Sequence, residues 1–399
     1  MDQFMQIIKD RWHYMDKILF FTMLFLIGLG TIEIQSAGSV LDVYEGSINY
    51  IFFKQVIIVL IGVTIFLGIS MVPYRQYSWL STLGLVALLL ALVTLLFGTT
   101  SFNSSKSWIT FGTFDIQPSE FGKLVFIMYL ASFYNSIQDV DFKEVDILHL
   151  IRQPFLVFIV IFALIAMQPD PGTALVYAVI FAMTLLGNGL KIRENFRIIA
   201  LSFISIAVIV FLLVMLNFVT KGAPEQFFSR MIDRLDYQEP CTEFKANGSK
   251  GYQVCNSMIA VNNGGLTGLG FNNSLQKHFY LPYAHTDSII AIISEEFGFA
   301  GFTLAMFGYI IIFYKGLMYA MKTDDAMGSV ICVGVVAMFA THLFINLLGN
   351  VGLGPLVGIP VPFLSYGGTF FVTSCIAMGM VQAVAIRYNR SKRTGKLDS

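Results

Sequence analysis

The sequence predicts an all-α integral membrane protein of about ten transmembrane helices, with both termini cytoplasmic and a large external loop between helices 7 and 8. Three observations carry that expectation. Apolar residues make up 56% of the 399 and charged residues only 13%, half the roughly 25% charged share of a soluble domain. Apolar runs of bilayer-spanning length recur from one end of the chain to the other. Lysine and arginine crowd the connections on one side and leave the short connections on the other nearly bare.

Runs of the roughly 17 to 25 residues needed to cross a bilayer fall near 17–38, 49–71, 77–98, 117–135, 197–220, 299–321, 327–348 and 367–386. A further apolar block, 153–188, is interrupted by Gln168-Pro169-Asp170-Pro171-Gly172, whose prolines cannot continue a helix, so it divides into two short spans. The first run lacks an Ala-x-Ala cleavage pattern and reads as a retained span, not a signal peptide. An even number of spans places both termini on one face. Lys9, Arg11, Lys17, Arg75, Lys143, Arg152, Lys191, Arg193, Arg197, Lys322, Arg387, Arg390, Lys392, Arg393 and Lys396 share it, whereas the short opposite loops hold only Lys106. That bias makes the termini cytoplasmic. The long loop, 221–287, is exempt by its length and faces outward. The chain reads as one polytopic domain over 1–399 with a basic cytoplasmic tail, 387–399, and without an internal repeat.

Basic and acidic residues balance at 25 each, which gives no reason to expect nucleic acid as a partner. The four cysteines form no CxxC pair or Cys/His cluster, so a zinc or iron–sulfur site of ordinary spacing is not expected. Cys241 and Cys255 both fall in the external loop and are expected to pair, closing a loop of a size worth roughly 3 kcal/mol in the chain-entropy model. Cys332 and Cys375 fall in spans and should behave as small apolar residues.

The chemistry-bearing residues gather in four outer segments: 103–120, 168–173, the long loop and 349–368. In the first, Pro118 suits an opening helical turn, and Glu120 and Lys123 share a helix face one turn inside the membrane edge. Either they neutralise each other or they line a polar cavity. Trp108 is either an interfacial anchor or a contact for a ligand. Asp170 either caps the helix that follows or belongs to irregular backbone lining a cavity. Glu33, inside the first span, needs a partner or a cavity. The long loop ends in Gly264-Gly265-Leu266-Thr267-Gly268-Leu269-Gly270, then Gln276-Lys277, then His285-Thr286-Asp287, where the chain re-enters an apolar run. Glycines admit a bulky ligand close to the backbone, and the closing residues supply titratable and hydroxyl groups. In 352–368 the prolines and glycines forbid a continuous helix and leave a shaped loop ending in Ser365-Tyr366-Gly367-Gly368.

These segments in this order resemble the SEDS family of bacterial membrane proteins (shape, elongation, division and sporulation), which includes RodA and FtsW. The resemblance is carried by Lys106-Ser-Trp-Ile, Gln117-Pro-Ser-Glu, Gln168-Pro-Asp, Gly251-Tyr252-Gln253, Gln276-Lys277, Leu281-Pro282, His285-Thr286-Asp287, Glu295-Glu296-Phe297-Gly298, Pro360-Val-Pro-Phe and Ser365-Tyr-Gly-Gly. The His-Thr-Asp and Glu-Glu-Phe-Gly-Phe runs look closer to the RodA branch. Tyr283, Ser288, Pro171, Val357 and Ser104-Ser105 depart from the usual pattern.

The resemblance implies a peptidoglycan glycosyltransferase of the cell membrane that polymerises lipid II on the extracytoplasmic face for elongation or division. It also implies a class B penicillin-binding protein as partner and admits a divalent cation, Mg or Mn, although no carboxylate cluster with metal-ligand spacing is evident. Joining an α-linked donor into a β-linked chain requires one inverting displacement, hence one base. Asp287 is the candidate, as an Asp beside an apolar boundary can have its pKa raised from about 3.9. His285 would orient it or bind sugar. Lys123, Lys277, Arg230 and Arg234 are the cations available to the pyrophosphate, and Lys106, Trp108, Glu120, Gln276, Thr286 and Ser365 complete the expected substrate-binding set. A lipid II flippase and a non-catalytic scaffold of the wall-synthesis complex are the competing readings.

Overall fold

A computed structural model describes residues 9–44, 49–97, 107–111, 114–138, 147–168, 170–187, 241, 250–278, 280–282, 284–354 and 357–394. Besides a helical stretch at 9–14 and a 3-10 turn at Tyr74–Gln76, they hold α1 (Lys17–Tyr44), α2 (Tyr50–Ser70), α3 (Tyr77–Phe97), β1 (Ile109–Phe111), β2 (Phe114–Ile116), α4 (Pro118–Ser136), α5 (Ile147–Ala166), α6 (Pro171–Leu186), α7 (Lys250–Gly264), α8 (Ile289–Lys322), α9 (Ala326–Asn350) and α10 (Gly368–Thr394). The expected span at 197–220 lies outside the described residues, as do Lys106, Arg230 and Arg234. The other expected spans all coincide with helices.

Six helices are long and apolar enough to cross a membrane: α1, α2, α3 with the 3-10 turn before it, α8, α9 and α10. Their burial sorts them into layers. Within its most apolar window α10 is 89% buried and α9 72%, against 22% for α2 and for α3, so α9 and α10 form the axis and α2 and α3 the lipid-facing wall. Two helices start where proline dictates. Pro118 opens α4 and Pro171 opens α6, each at a position whose missing N–H costs nothing. On the far side of α4, Phe126, Phe155, Phe158 and Phe181 interlock, with Phe158 and Phe181 stacked at 4.7 Å.

Three boundaries differ from expectation. The helix expected from 299 begins at Ile289 and kinks at Gly298 (φ 65°, ψ −164°), because the charged pair Glu295-Glu296, outside the expected apolar run, is buried and internally paired. A Cβ at Gly298 would stand 2.4 Å from the Gly268 nitrogen, and one at Gly268 would stand 2.1 Å from the Glu296 carbonyl, so both glycines are needed for the loop to lie on α8. The expected basic tail is helical through Thr394, which puts Arg387 and Arg390 on α10. The external loop contains a helix, α7, where a mostly polar interlude was expected. Cys255 on α7 is disulfide-bonded to Cys241, as expected.

Contacts define two ends of the bundle. At one end Asp16 pairs with Lys315 at 2.9 Å, the Asn389 amide donates to the Tyr14 carbonyl at 2.9 Å, and Asp325 pairs with Arg387 at 2.7 Å. The chain segments nearest the two termini therefore lie together. At the other end the β1–β2 ribbon is tied to α10 by Thr369 Oγ1 donating to the Asp115 carbonyl at 2.9 Å, and Gln117 Nε2 donates to Asp170 Oδ2 at 3.2 Å.

Candidate functional site

A polar stripe on α9 organises the second end. His342, Asn346 and Asn350 recur every four residues, so they share one face of an otherwise apolar helix. Asn346 Nδ2 donates to the backbone carbonyl of Asp287 at 2.7 Å and to that of Ile359 at 2.8 Å. Asn350 Nδ2 adds a bond to the Asp287 carbonyl at 3.1 Å, while its Oδ1 accepts from Ser257 of α7 at 3.0 Å. Two loops without helical hydrogen bonds of their own are thereby satisfied by one helix face, which fixes them relative to each other.

These bonds hold the backbone of Asp287 and leave its carboxylate to other partners. Thr286 Oγ1 donates to Asp287 Oδ1 at 3.3 Å, and Gln253 of α7 reaches the neighbouring Ser288 hydroxyl at 3.1 Å. Among the described residues no lysine or arginine pairs with Asp287. Burial raises its pKa from the ordinary carboxylate value to about 6, against the smaller opposing pull of hydrogen bonds from its own backbone, Thr286 and Gln253. The side chain is nonetheless partly open to solvent. Gly358, at φ 67°, faces it, and a Cβ there would touch Asp287 Oδ2 at 3.5 Å. The glycine keeps the approach to the carboxylate clear. His285 is fixed by its carbonyl, which accepts from the Tyr366 N–H at 2.9 Å, and its ring meets Tyr366 edge-on at 5.3 Å.

Glu120 and Lys123 form an ion pair at 2.7 Å, with side chains 6% and 1% exposed. A third partner was not anticipated. Lys123 Nζ lies 2.9 Å from His342 Nε2, and His342 Nδ1 lies 3.0 Å from the Pro360 carbonyl. A carbonyl only accepts, so Nδ1 carries the proton and Nε2 accepts from the ammonium. The imidazole also stacks on Phe370 at 4.4 Å. Through His342 the ion pair is joined to the loop that faces Asp287.

Lys277 and Gln276 lie where the glycine-rich loop meets α8. Lys277 Nζ is enclosed by Glu296 at 3.1 Å, Ser36 at 2.8 Å and Asn272 at 2.6 Å, and its side chain is 1% exposed. The Gln276 N–H donates to Glu295 Oε2 at 3.2 Å, and Glu295 also accepts from Asn263 and Ser274. These bonds fasten the glycine-rich loop to α8. Glu33 is fully buried within electrostatic reach of Lys277 and Glu296. Ser365 is buried and caps a turn, its Oγ accepting from the Val361 N–H at 2.8 Å. Asp170 caps α6 through Thr173, the commoner of its two expected fates. Trp108 is half-buried at the start of β1. Among the described residues no three His, Cys, Asp or Glu side chains converge.

Of the expected residues, His285 and Thr286 lie beside Asp287, Glu120 and Lys123 join His342, and Gln276 and Lys277 belong to the contact between the loop and α8. Sequence reading missed His342, Asn350 and Gly358. The four-residue spacing of His342, Asn346 and Asn350 was the available signal.

Fold and site together define a multi-pass helical membrane protein whose loops at one end present a desolvated carboxylate above a polar helix stripe. The chain belongs to the cell cycle protein family of FtsW, RodA and SpoVE, whose model matches residues 16–390. It is 34% identical to the probable peptidoglycan glycosyltransferase FtsW of Bacillus subtilis, over 95% of this chain and 93% of that one. Identity is 33% to stage V sporulation protein E of Bacillus subtilis (94% and 98% covered) and 29% to the peptidoglycan glycosyltransferase RodA of Treponema pallidum (93% and 98% covered). These identities do not single out the RodA branch. Among solved structures, a chain of a peptidoglycan synthase complex matches with a TM-score of 0.73 at 21% identity, covering 93% of this chain and 97% of that one. The crystal structure of Thermus thermophilus RodA matches at 0.64 and 19%, covering 94% and 97%.

Proposed function

We propose that this protein is an inverting peptidoglycan glycosyltransferase that adds the disaccharide-peptide of lipid II to a growing glycan strand and releases undecaprenyl pyrophosphate. The observation that carries the reading is Asp287, a carboxylate held by its backbone, kept clear by Gly358 and shifted toward neutrality by burial without a paired cation among the described residues. Those are the properties a general base requires near neutral pH. An acceptor sugar hydroxyl attacks the anomeric carbon of the donor as the bond from that carbon to the pyrophosphate oxygen breaks. Asp287 takes the hydroxyl proton, and the electron pair of the breaking bond leaves with the pyrophosphate. The cations that the sequence offers to offset that charge are Lys123, Lys277, Arg230 and Arg234, of which Lys123, paired with Glu120, is joined through His342 to the loop that faces Asp287.

The site end faces outward in this reading, because the basic residues collect at the other end, and the lipid tail lies in the bilayer along the wall of the bundle. A class B penicillin-binding protein is the expected partner: the relatives are named as glycosyltransferases, and the solved chain of like fold belongs to a complex that coordinates polymerization with crosslinking. Purified protein, with and without the cognate transpeptidase, is expected to make glycan from lipid II. Movement of lipid II across a bilayer with no polymer formed under either condition would overturn the enzyme in favour of a flippase.

A further inference from the structure

The glycine-rich loop belongs by sequence to the external segment, yet it is fastened low on the wall of the bundle. Its Gly265 and Leu266 carbonyls accept from the Phe299 and Ala300 N–H groups of α8 at 2.9 and 3.1 Å, and its Leu269 and Gly270 N–H groups donate to the Glu295 and Glu296 carbonyls, each at 2.9 Å. Two helices measure how deep that is. At the end where the chain termini meet, Asp16 pairs with Lys315, and Lys17, the first residue of α1, holds its ammonium 3.8 Å from the ring centre of exposed Trp12, a combination suited to the headgroup level. From Lys315 up to Phe299, α8 rises only about 24 Å, and from Lys17 to Ser36, which donates to Glu296 at 2.6 Å, α1 rises about 29 Å. The hydrocarbon of a bilayer is about 30 Å thick. Leu266 therefore lies inside that thickness, and any tilt of the helices brings it deeper. Asn272, whose N–H donates to the same Glu296, marks the edge.

The backbone of the loop is arranged for such a place. The kink at Gly298 takes the Phe299 and Ala300 N–H groups away from the Glu295 and Glu296 carbonyls, and the loop supplies partners to all four, so kink and loop satisfy each other without water. Irregular backbone at membrane depth is tolerated on that condition. The side chains agree with the backbone. Leu266 is 76% exposed, with Leu269 and Phe271 open on the same loop, and Phe299, 60% exposed, heads the row Leu304, Phe307 and Ile310 that runs along the exposed face of α8 at helical spacing. We propose that this loop is immersed in the bilayer, with Leu266 among the phospholipid acyl chains, Leu269 and Phe271 at their edge, and Asn272 and Asn273 among the headgroups. The immersion holds for whichever leaflet this end faces and is independent of the glycosyltransferase reading.

A thiol-reactive, environment-sensitive fluorophore tests the immersion on the full-length protein in phosphatidylcholine nanodiscs. Cys241 and Cys255 are bonded to each other and Cys332 and Cys375 are buried, so a cysteine added at the surface is labelled selectively. On Leu266→Cys the emission is expected to be blue-shifted relative to Asn273→Cys and protected from iodide in the buffer. Phosphatidylcholine carrying a nitroxide near the glycerol end of its acyl chain should quench it more strongly than the same lipid with the nitroxide near the methyl end. Asn273→Cys should be quenched by iodide in preference to either lipid. Leu269→Cys, on the same exposed surface, should prefer lipid to iodide as Leu266→Cys does, and it carries the measurement if Leu266→Cys fails to fold. Equal access of iodide to the labels at 266 and 273 would overturn the proposal by placing the loop in water. A label at 266 protected from iodide and lipid alike would overturn it too, and would give this surface to another protein chain.

Discussion

Asp287 and Asp325 each stand just before a long apolar helix, one before α8 and one before α9, and their surroundings are opposite. Asp325 accepts from Tyr74 at 2.7 and 2.9 Å, pairs with Arg387 at 2.7 Å and Arg75 at 3.6 Å, and accepts from Thr323 at 3.1 Å. Burial alone would raise its pKa, but the Tyr74 hydrogen bonds and the Arg387 charge outweigh burial and hold it below the ordinary carboxylate value. Asp287 meets the same desolvation without a paired cation among the described residues, and its pKa goes up to about 6. Where the fold directs cations to a carboxylate, it builds a joint. Where it withholds them, it leaves a base.

The largest expected effect breaks the comparison at its functional side. Asp287→Asn keeps shape but cannot take a proton, so glycan synthesis from lipid II should fall at least 10²-fold, while the thermal midpoint holds or rises. A variant that unfolds instead would make Asp287 a second Asp325. The same difference predicts opposite pH responses. The stability linked to protonated Asp287 is complete below the ordinary carboxylate pKa and is lost as pH rises through about 6, the window in which turnover should climb. For Asp325 the contribution is present above the ordinary value and is lost as pH falls through its lowered one. If wild-type turnover, followed from pH 5 to 7, proved flat, the assignment of Asp287 as base would be contradicted.

Next in size is Asp325→Asn, which leaves Arg387 facing a neutral group in a mostly buried setting. Breaking a buried pair costs about 3 kcal/mol or more, so detergent-solubilised protein should melt at clearly lower temperature with turnover per folded molecule unchanged. Turnover that collapsed in step with Asp287→Asn would erase the division between joint and base. The smallest effect sharpens the comparison. Asn350→Ala removes one of the two amide donors to the Asp287 carbonyl, and Asn346 remains. Stability should drop by about 1 kcal/mol, and polymerisation by less than tenfold with its pH midpoint in place. A shifted midpoint would mean that Asn350 tunes the carboxylate itself, beyond holding the loop.

Much of this molecule follows from local chemistry that needs no partner to be read. Apolar length sets the spans, Pro118 and Pro171 set helix starts, the 168–172 break divides α5 from α6, and Asp287 is recognisable as a carboxylate where polar loop meets apolar helix. Cys241 and Cys255 are legible as a pair for the same reason, being two thiols in one external loop. What the sequence could not decide is which polar groups answer each other across the bundle, because the cost of burying a charge depends on neighbours hundreds of residues away. Lys277 and Lys123 look alike in sequence, each a lysine beside chemistry-bearing residues. Each is paired with a buried glutamate, and only packing adds Ser36 of α1 to Lys277, in the loop's anchor, and His342 of α9 to Lys123, in the network that reaches the loop facing Asp287. The α8 start shows the same limit. Glu295-Glu296 stands outside the apolar run expected from 299, and is buried helix because Ser274, Asn272 and Lys277 satisfy its oxygens.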